Sequence, residues 1–178
     1  MPPRGDGAYN VFVGMTRRTI LMILAAAGTG LLARRFYLPL AEANEMGKGF
    51  EVTKTNDEWR KILTPEQYHV LREEGTEPPF KNAYHDNKKE GVYNCAGCDL
   101  PLFSSKTKYD SKTGWPSFWE PISPNAVGTR TDWKLIFPRT EVHCARCGGH
   151  LGHVFDDGPP PTHLRYCMNS AALVFKPA

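Results

Sequence analysis

The stretch Glu141–Gly158, EVHCARCGGHLGHVFDDG, carries three signals in succession. Glu141-Val142-His143 reads as a short strand. Cys144-Ala145-Arg146-Cys147-Gly148 is a Cys-x-x-Cys turn whose small residues let two sulfurs face one point, and the glycine-flanked run behind it holds His150 and His153. The same strand-then-knuckle pattern occurs upstream, where Val92-Tyr93-Asn94 leads into Cys95-Ala96-Gly97-Cys98. Two such knuckles supply the four thiolates of a closed, tetrahedral structural zinc site, one ion per chain. The 45 residues between Cys98 and Cys144 exceed the spacing of a compact zinc ribbon, so the metal would clamp distant parts of one domain and add stability that the unfolded chain cannot hold. Disulfides or redox pairs are the alternatives. A Cys-x-x-Cys disulfide closes too small a loop to constrain much, and neither pair lies in a thioredoxin-like βαβ pattern.

Of five cysteines, only Cys167 is left unpaired. Arg165-Tyr166-Cys167-Met168-Asn169 alternates as a strand, with Arg165, Cys167 and Asn169 on one face. A guanidinium and an amide beside the thiol form a polar setting that can favour thiolate, whereas the alternative is an inert buried cysteine. His150 and His153 would point to opposite faces of a regular strand, and a bulge at Gly152 would realign them. YDSKTGWPSFWEP (Tyr109–Pro121) is a stiff, aromatic turn. Trp115 and Phe118 in it are candidate ligand contacts. The alternative, that the rings fill the core, suits Phe118 and Trp119 well and Trp115 less. Asp132–Phe137 and Ala171–Phe175 read as further strands.

Thr55-Asn56-Asp57-Glu58 and Thr64-Pro65-Glu66-Gln67 have the capping-box spacing, and Pro65 suits a first helical turn. Two short helices are therefore expected. Trp59, Ile62 and Leu63 would line one face of the first; Tyr68, Val70 and Leu71 would line the second, with Gly75 ending it. Both would pack across a sheet. His69 and His85 are expected to be solvated.

Arg4, Arg17, Arg18, Arg34 and Arg35 against Asp6 and Glu42 account for the formal charge of +3, leaving residues 44–178 neutral. A neutral body lacks the electrostatic footprint of a nucleic-acid binder. Arg17-Arg18 precede an uncharged run, Ile20–Ala33, of 14 residues; as a helix it rises about 21 Å, short of the roughly 30 Å hydrocarbon core. With Ala41-Glu42-Ala43 as a small-x-small cleavage pattern, residues 1–43 resemble a twin-arginine export signal. The expected location is a bacterial periplasm, with a membrane anchor or mitochondrial presequence as alternatives.

GWPSF (Gly114–Phe118), HLGHVF (His150–Phe155), RYCMNSAAL (Arg165–Leu173) and the two cysteine pairs together resemble the B-type methionine sulfoxide reductases, the peptide-methionine (R)-S-oxide reductases. The resemblance runs from about residue 54 to 176, within a domain of residues 44–178. It implies a mainly β fold: two small antiparallel sheets with short N-terminal helices and a zinc site of four cysteines, Cys95, Cys98, Cys144 and Cys147. It implies reduction of the R epimer of methionine sulfoxide in oxidised proteins or peptides. Carried over by motif, Cys167 would attack the sulfoxide sulfur and become a sulfenic acid. His150 and His153 would polarise and protonate the departing oxygen, Asn169 would orient the histidines, Arg165 would favour the thiolate, and Trp115 would hold the substrate's methyl group against its ring.

Many family members place a second, resolving cysteine just before the GWPSF glycine, where this chain has Thr113. That departure implies a one-cysteine enzyme regenerated by an external, thioredoxin-like thiol donor; a monomer is expected. Leu135-Ile136-Phe137 also departs, being more apolar than the family's usual pattern.

Overall fold

The helices form where their caps predict. In the computed structural model, which describes residues 49–134 and 136–178, α1 (Asn56–Ile62) and α2 (Pro65–Glu73) both begin with complete capping boxes. The Thr55 and Thr64 hydroxyls accept the Glu58 and Gln67 amides, whose side chains reach back to the cap amides. Residues 1–43, read above as an export signal, lie outside the described residues.

Two details of the helices differ from expectation. Ile62 is 55% exposed, while Trp59 and Leu63 are buried. The chain leaves the helix at Leu63 with extended backbone, which turns that side chain inward and Ile62 out. The residue that ends α2 is Glu74, in the left-handed region, and the Gly75 amide donates to the His69 carbonyl. His69 is exposed and pairs with Glu73; His85 is half-buried and bonded to the Asn82 backbone.

Among the described residues nine strands follow: β1 (Gly91–Cys95), β2 (Pro101–Ser104), β3 (Lys108–Tyr109), β4 (Ser117–Phe118), β5 (Val127–Asp132), β6 (Arg139–Cys144), β7 (His150–Phe155), β8 (Arg165–Met168) and β9 (Leu173–Pro177). They build two antiparallel sheets, β2-β1-β9 and β3-β4-β8-β7-β6-β5. The fold is mainly β, as expected. Aromatic rings join the sheets: Phe103 of β2 stacks on Phe118 of β4 with centroids 4.5 Å apart, and Tyr93 of β1 meets the same ring at 5.1 Å. Helix α2 packs on β7 and on the 3-10 turn Ser170–Ala172, burying Val70 and Leu71.

Of the run after Asp132, the described residues Trp133, Lys134, Ile136 and Phe137 are not in a strand. β5 stops at Asp132 because its own carboxylate accepts the Lys134 amide at 2.9 Å, an Asx-type turn that competes with the sheet ladder. Asp132 and Arg139 form the closing pair of the β5–β6 hairpin, and Trp133, Ile136 and Phe137 stand exposed at its tip. The closing strand begins at Leu173, later than expected, because Ser170–Ala172 forms the 3-10 turn first.

The bulge expected near Gly152 is present. Along β6 the pairing advances one residue, from His143 to Val142, while β7 advances two, from His150 to Gly152. Leu151 is the extra residue, and the two histidine rings come to 5.4 Å. Gly152 is fixed by close approach, since a Cβ there would lie 2.1 Å from the Cys167 carbonyl oxygen. Gly152→Ala must push β7 from β8, so it should cost more than about 2 kcal/mol in urea unfolding. Ile62→Ser, on the exposed side of α1, should stay within about 0.5 kcal/mol.

Candidate active site and metal centre

The two knuckles are built alike. Cys95 ends β1 and Cys144 ends β6; four residues on, Asp99 and Gly148 adopt left-handed backbone and donate to the Cys95 and Cys144 carbonyls, each at 2.9 Å. This brings all four sulfurs within 4.8 Å of one another. Across the knuckles Cys95 and Cys147 lie 3.7 Å apart, Cys98 and Cys144 3.5 Å. Neither distance is a disulfide, whereas tetrahedral bonds of about 2.3 Å would set sulfurs about 3.8 Å apart. The donor set and its spacing fit a structural metal. Because β1 and β6 belong to different sheets, such an ion ties the sheets together.

Cys167 sits in the middle of β8, between β4 and β7. Antiparallel register puts Ser117 directly across it on one side and His153 on the other. Opposed residues of this kind hold Cβ atoms about 4.5–5.5 Å apart. A cavity of about 110 Å³ opens there, walled by Cys167, His153, Trp115, Asn169, Arg139 and Phe155 among others. That is below the roughly 300–1,000 Å³ of small-molecule pockets, so it suits one side chain better than a whole ligand. Trp115 is held as a wall by its indole N–H, which donates to the Glu77 carbonyl at 3.0 Å.

His153 Nε2 lies 2.8 Å from Asp132 Oδ2. The Lys134 amide, His153 and Arg139 hold the Asp132 carboxyl far below the usual range. An ionised carboxylate only accepts, so the proton sits on Nε2 and Nδ1 is free to take another. Burial, against the pull of Asp132, lowers the His153 pKa and keeps the ring neutral near pH 7. His150 is 2% exposed and does not line the cavity. Its Nδ1 lies 2.7 Å from Glu141 Oε1, while its Nε2 is buried without a partner among the described residues. Glu141 is kept ionised against burial by His150 and Arg130. His150 therefore stands behind His153, edge-on to its ring.

Of three sequence expectations here, that for Phe118 needs correction, and those for Arg165 and Asn169 are sharpened. Phe118 is wholly buried against Phe103 and does not line the cavity at Cys167. Its place on β4 between β3 and β8 turns the ring into the core. Arg165 is engaged by Asp157 through two 2.8 Å bonds and lies over the Phe155 ring. Although Thr113 and Arg165 act to lower the Cys167 pKa, burial outweighs them and pushes the thiol up. At rest Cys167 is a thiol, because the polar face seen in the sequence is itself desolvated. Asn169 bonds neither histidine. Its Nδ2 and backbone amide donate to the Leu151 carbonyl, and its Oδ1 accepts the Glu77 amide. It holds the bulge that sets both histidines.

Nothing in the local sequence pattern pointed to Asp132, Arg139, Glu141 or Glu77. The buried Glu77 carboxylate accepts the Ser170 and Ala171 amides, capping the turn behind Cys167 where Asn169 offers no side-chain cap. Near the thiol, Thr113 Oγ1 lies 3.9 Å from Cys167 Sγ. Ser111 bonds both Thr113 and Ser117, at 2.8 and 2.7 Å. A hydroxyl cluster borders the thiol here.

A protein-family model described as the SelR domain matches residues 63–177. The chain is 56% identical over 127 residues to the Agrobacterium fabrum protein named peptide methionine sulfoxide reductase MsrB, covering 71% of this chain and 94% of that one. It is 57% identical over 125 residues to the Methanosarcina barkeri protein of the same name, covering 70% and 88%. Peptide methionine sulfoxide reductase B1, chloroplastic, of Arabidopsis thaliana is 56% identical over 134 residues, covering 75% of this chain and 63% of that one.

Elemental analysis should find one metal ion per chain. Cys144→Ser should release it and lower the melting temperature by at least about 10 °C, since structural metal binding is folding free energy.

Proposed function

We infer the activity from membership: the chain belongs to the SelR-domain family, that of the MsrB peptide methionine sulfoxide reductases, and it reduces methionine sulfoxide in oxidised polypeptides to methionine. The substrate is the R epimer, and the metal is zinc, which four thiolates at this spacing suit best. The observation that carries the reading is the opposition of Cys167 and His153 across β7–β8 in a cavity of side-chain size.

In the proposed reaction the sulfoxide enters with its methyl against Trp115 and its sulfur toward Cys167. Cys167 begins as a thiol and His153 as a neutral base. Moving the thiol proton to His153 Nδ1 creates the thiolate and the acid together. The thiolate attacks the sulfoxide sulfur and the imidazolium protonates its oxygen; the hydroxyl then passes from the substrate sulfur to Cys167 Sγ as both the S–O bond and the transient S–S bond break. Methionine leaves with two more electrons, and Cys167 holds the oxygen as sulfenic acid. Glu141 and His150 stabilise the imidazolium, with Asp132 as its direct counter-ion.

Regeneration needs two external thiols. The first condenses with the sulfenic acid, releasing water and leaving a mixed disulfide; the second frees Cys167. Thr113, a non-redox hydroxyl, lies 3.9 Å from Cys167 Sγ, and the other four cysteines cluster as metal ligands would. A thioredoxin-like donor would serve. Residues 1–43 are proposed as a twin-arginine signal, and a mature chain from the native host that begins upstream of residue 20 would contradict this.

An epimer-resolved assay with dithiothreitol tests the reaction: wild type should consume only the R sulfoxide, and Cys167→Ser should lower turnover by at least about 10³-fold. Turnover of the S epimer alone would overturn the assignment. Because burial raises the Cys167 pKa, alkylation of the resting enzyme by iodoacetamide should still accelerate at a pH where an ordinary cysteine has levelled off. In Thr113→Cys, stoichiometric turnover should leave an intramolecular disulfide between positions 113 and 167, where wild type leaves none.

A further inference from the structure

The tip of the β5–β6 hairpin takes no part in the reaction as described, and it is costly to leave in water. Trp133, Ile136 and Phe137 are 74%, 95% and 79% exposed. Single exposed apolar residues are ordinary, but three large ones so close together in the chain mark a contact surface.

The hairpin is continuous with the cavity. Its closing pair is Asp132 and Arg139; Asp132 holds His153, Arg139 bonds Asp132 at 2.7 Å, and Arg139 lines the cavity beside Cys167. Phe137 is two residues from Arg139, within about 7 Å along the chain. A substrate strand rises about 3.3 Å per residue, so a side chain two or three residues from the reacting methionine reaches the tip.

Resting on the reading of the cavity as the sulfoxide site, we propose that this tip is a second contact surface for the polypeptide substrate. It takes an apolar side chain two or three residues from the methionine sulfoxide. The chain then favours sulfoxides flanked by apolar residues, the neighbours of a methionine that came from a core or an apolar interface. A lipid surface is the other occupant such a tip could suit. The cations of this hairpin argue against it: Lys134 and Arg130 both pair with Glu74, at 2.5 and 2.6 Å, Arg130 also bonds Glu141, and Arg139 is held by Asp132. They are committed to carboxylates rather than free for anionic headgroups.

The test compares the full wild-type chain with the Trp133→Ser/Ile136→Ser/Phe137→Ser variant on three R-sulfoxide substrates. One peptide carries Phe three residues to either side of the sulfoxide, a second carries Ser there, and the third substrate is the N-acetyl amide of methionine sulfoxide. Wild type should prefer the Phe peptide by about fivefold or more in kcat/KM, expressed in KM. The variant should lose that preference and turn over the N-acetyl amide at the wild-type rate. No preference in wild type, an unchanged preference in the variant, or an equal fall on all three substrates would overturn the proposal. So would tip-dependent co-sedimentation with phosphatidylglycerol vesicles alongside unaltered peptide kinetics. Failure of wild type to reduce any of the three would instead sink the reading of the reaction.

Discussion

The backbone contact between Gly152 and the Cys167 carbonyl is the constraint on which the site depends. No side chain fits between β7 and β8 there. The resulting close pairing sets His153 across from Cys167, and the bulge beside it turns His150 toward the same ring. Asn169 pins the bulge from one end through the Leu151 carbonyl. Glu77 pins Asn169, the turn after β8 and the Trp115 indole at once. The thiol, the His153 imidazole and the wall of the cavity are thereby held by one set of backbone contacts, the arrangement that close positioning requires.

Around that contact the electrostatics divide the labour. Cys167 is desolvated and remains a thiol, while His153 is desolvated and remains a base. Desolvation moves these two pKa values in opposite directions because it penalises whichever form is charged. Neither group is charged at rest near neutral pH. The buried Glu141 carboxylate bonds His150 and the half-buried Asp132 carboxylate bonds His153. The four-cysteine cluster works at longer range: a metal held there would join the ends of β1 and β6 and so fix the two sheets whose shared aromatic core supports β4 and β8.

The parts of this arrangement legible in the sequence are those encoded locally. Thr55/Glu58 and Thr64/Gln67 announce both helices, the two Cys-x-x-Cys turns announce the cluster, and Gly152 between two histidines announces the bulge. Other features depend on partners remote in the chain. Glu77 acts on residues 92 to 94 positions away, and Asp132 lies 21 from His153. Phe118 is ambiguous because an aromatic residue in a turn can face either way until its sheet neighbours are known. The Arg165–Cys167 face reads correctly as polar, and Thr113 and Arg165 do favour the thiolate, but alternation reports direction and says nothing of the burial that outweighs them. Asp132–Phe137 misleads because its apolar pattern resembles a strand, while the Asx turn that ends β5 depends on one carboxylate.

The central claim is that Cys167 alone carries the oxygen away from the substrate and waits for a thiol from outside the chain. Its most direct test is one equivalent of R-sulfoxide peptide added without reductant, followed by mass spectrometry of the peptide containing Cys167. The account predicts one methionine formed per chain and one added oxygen, or its trapped adduct, on Cys167, with Cys95, Cys98, Cys144 and Cys147 unchanged. A disulfide between Cys167 and any of those four would contradict it.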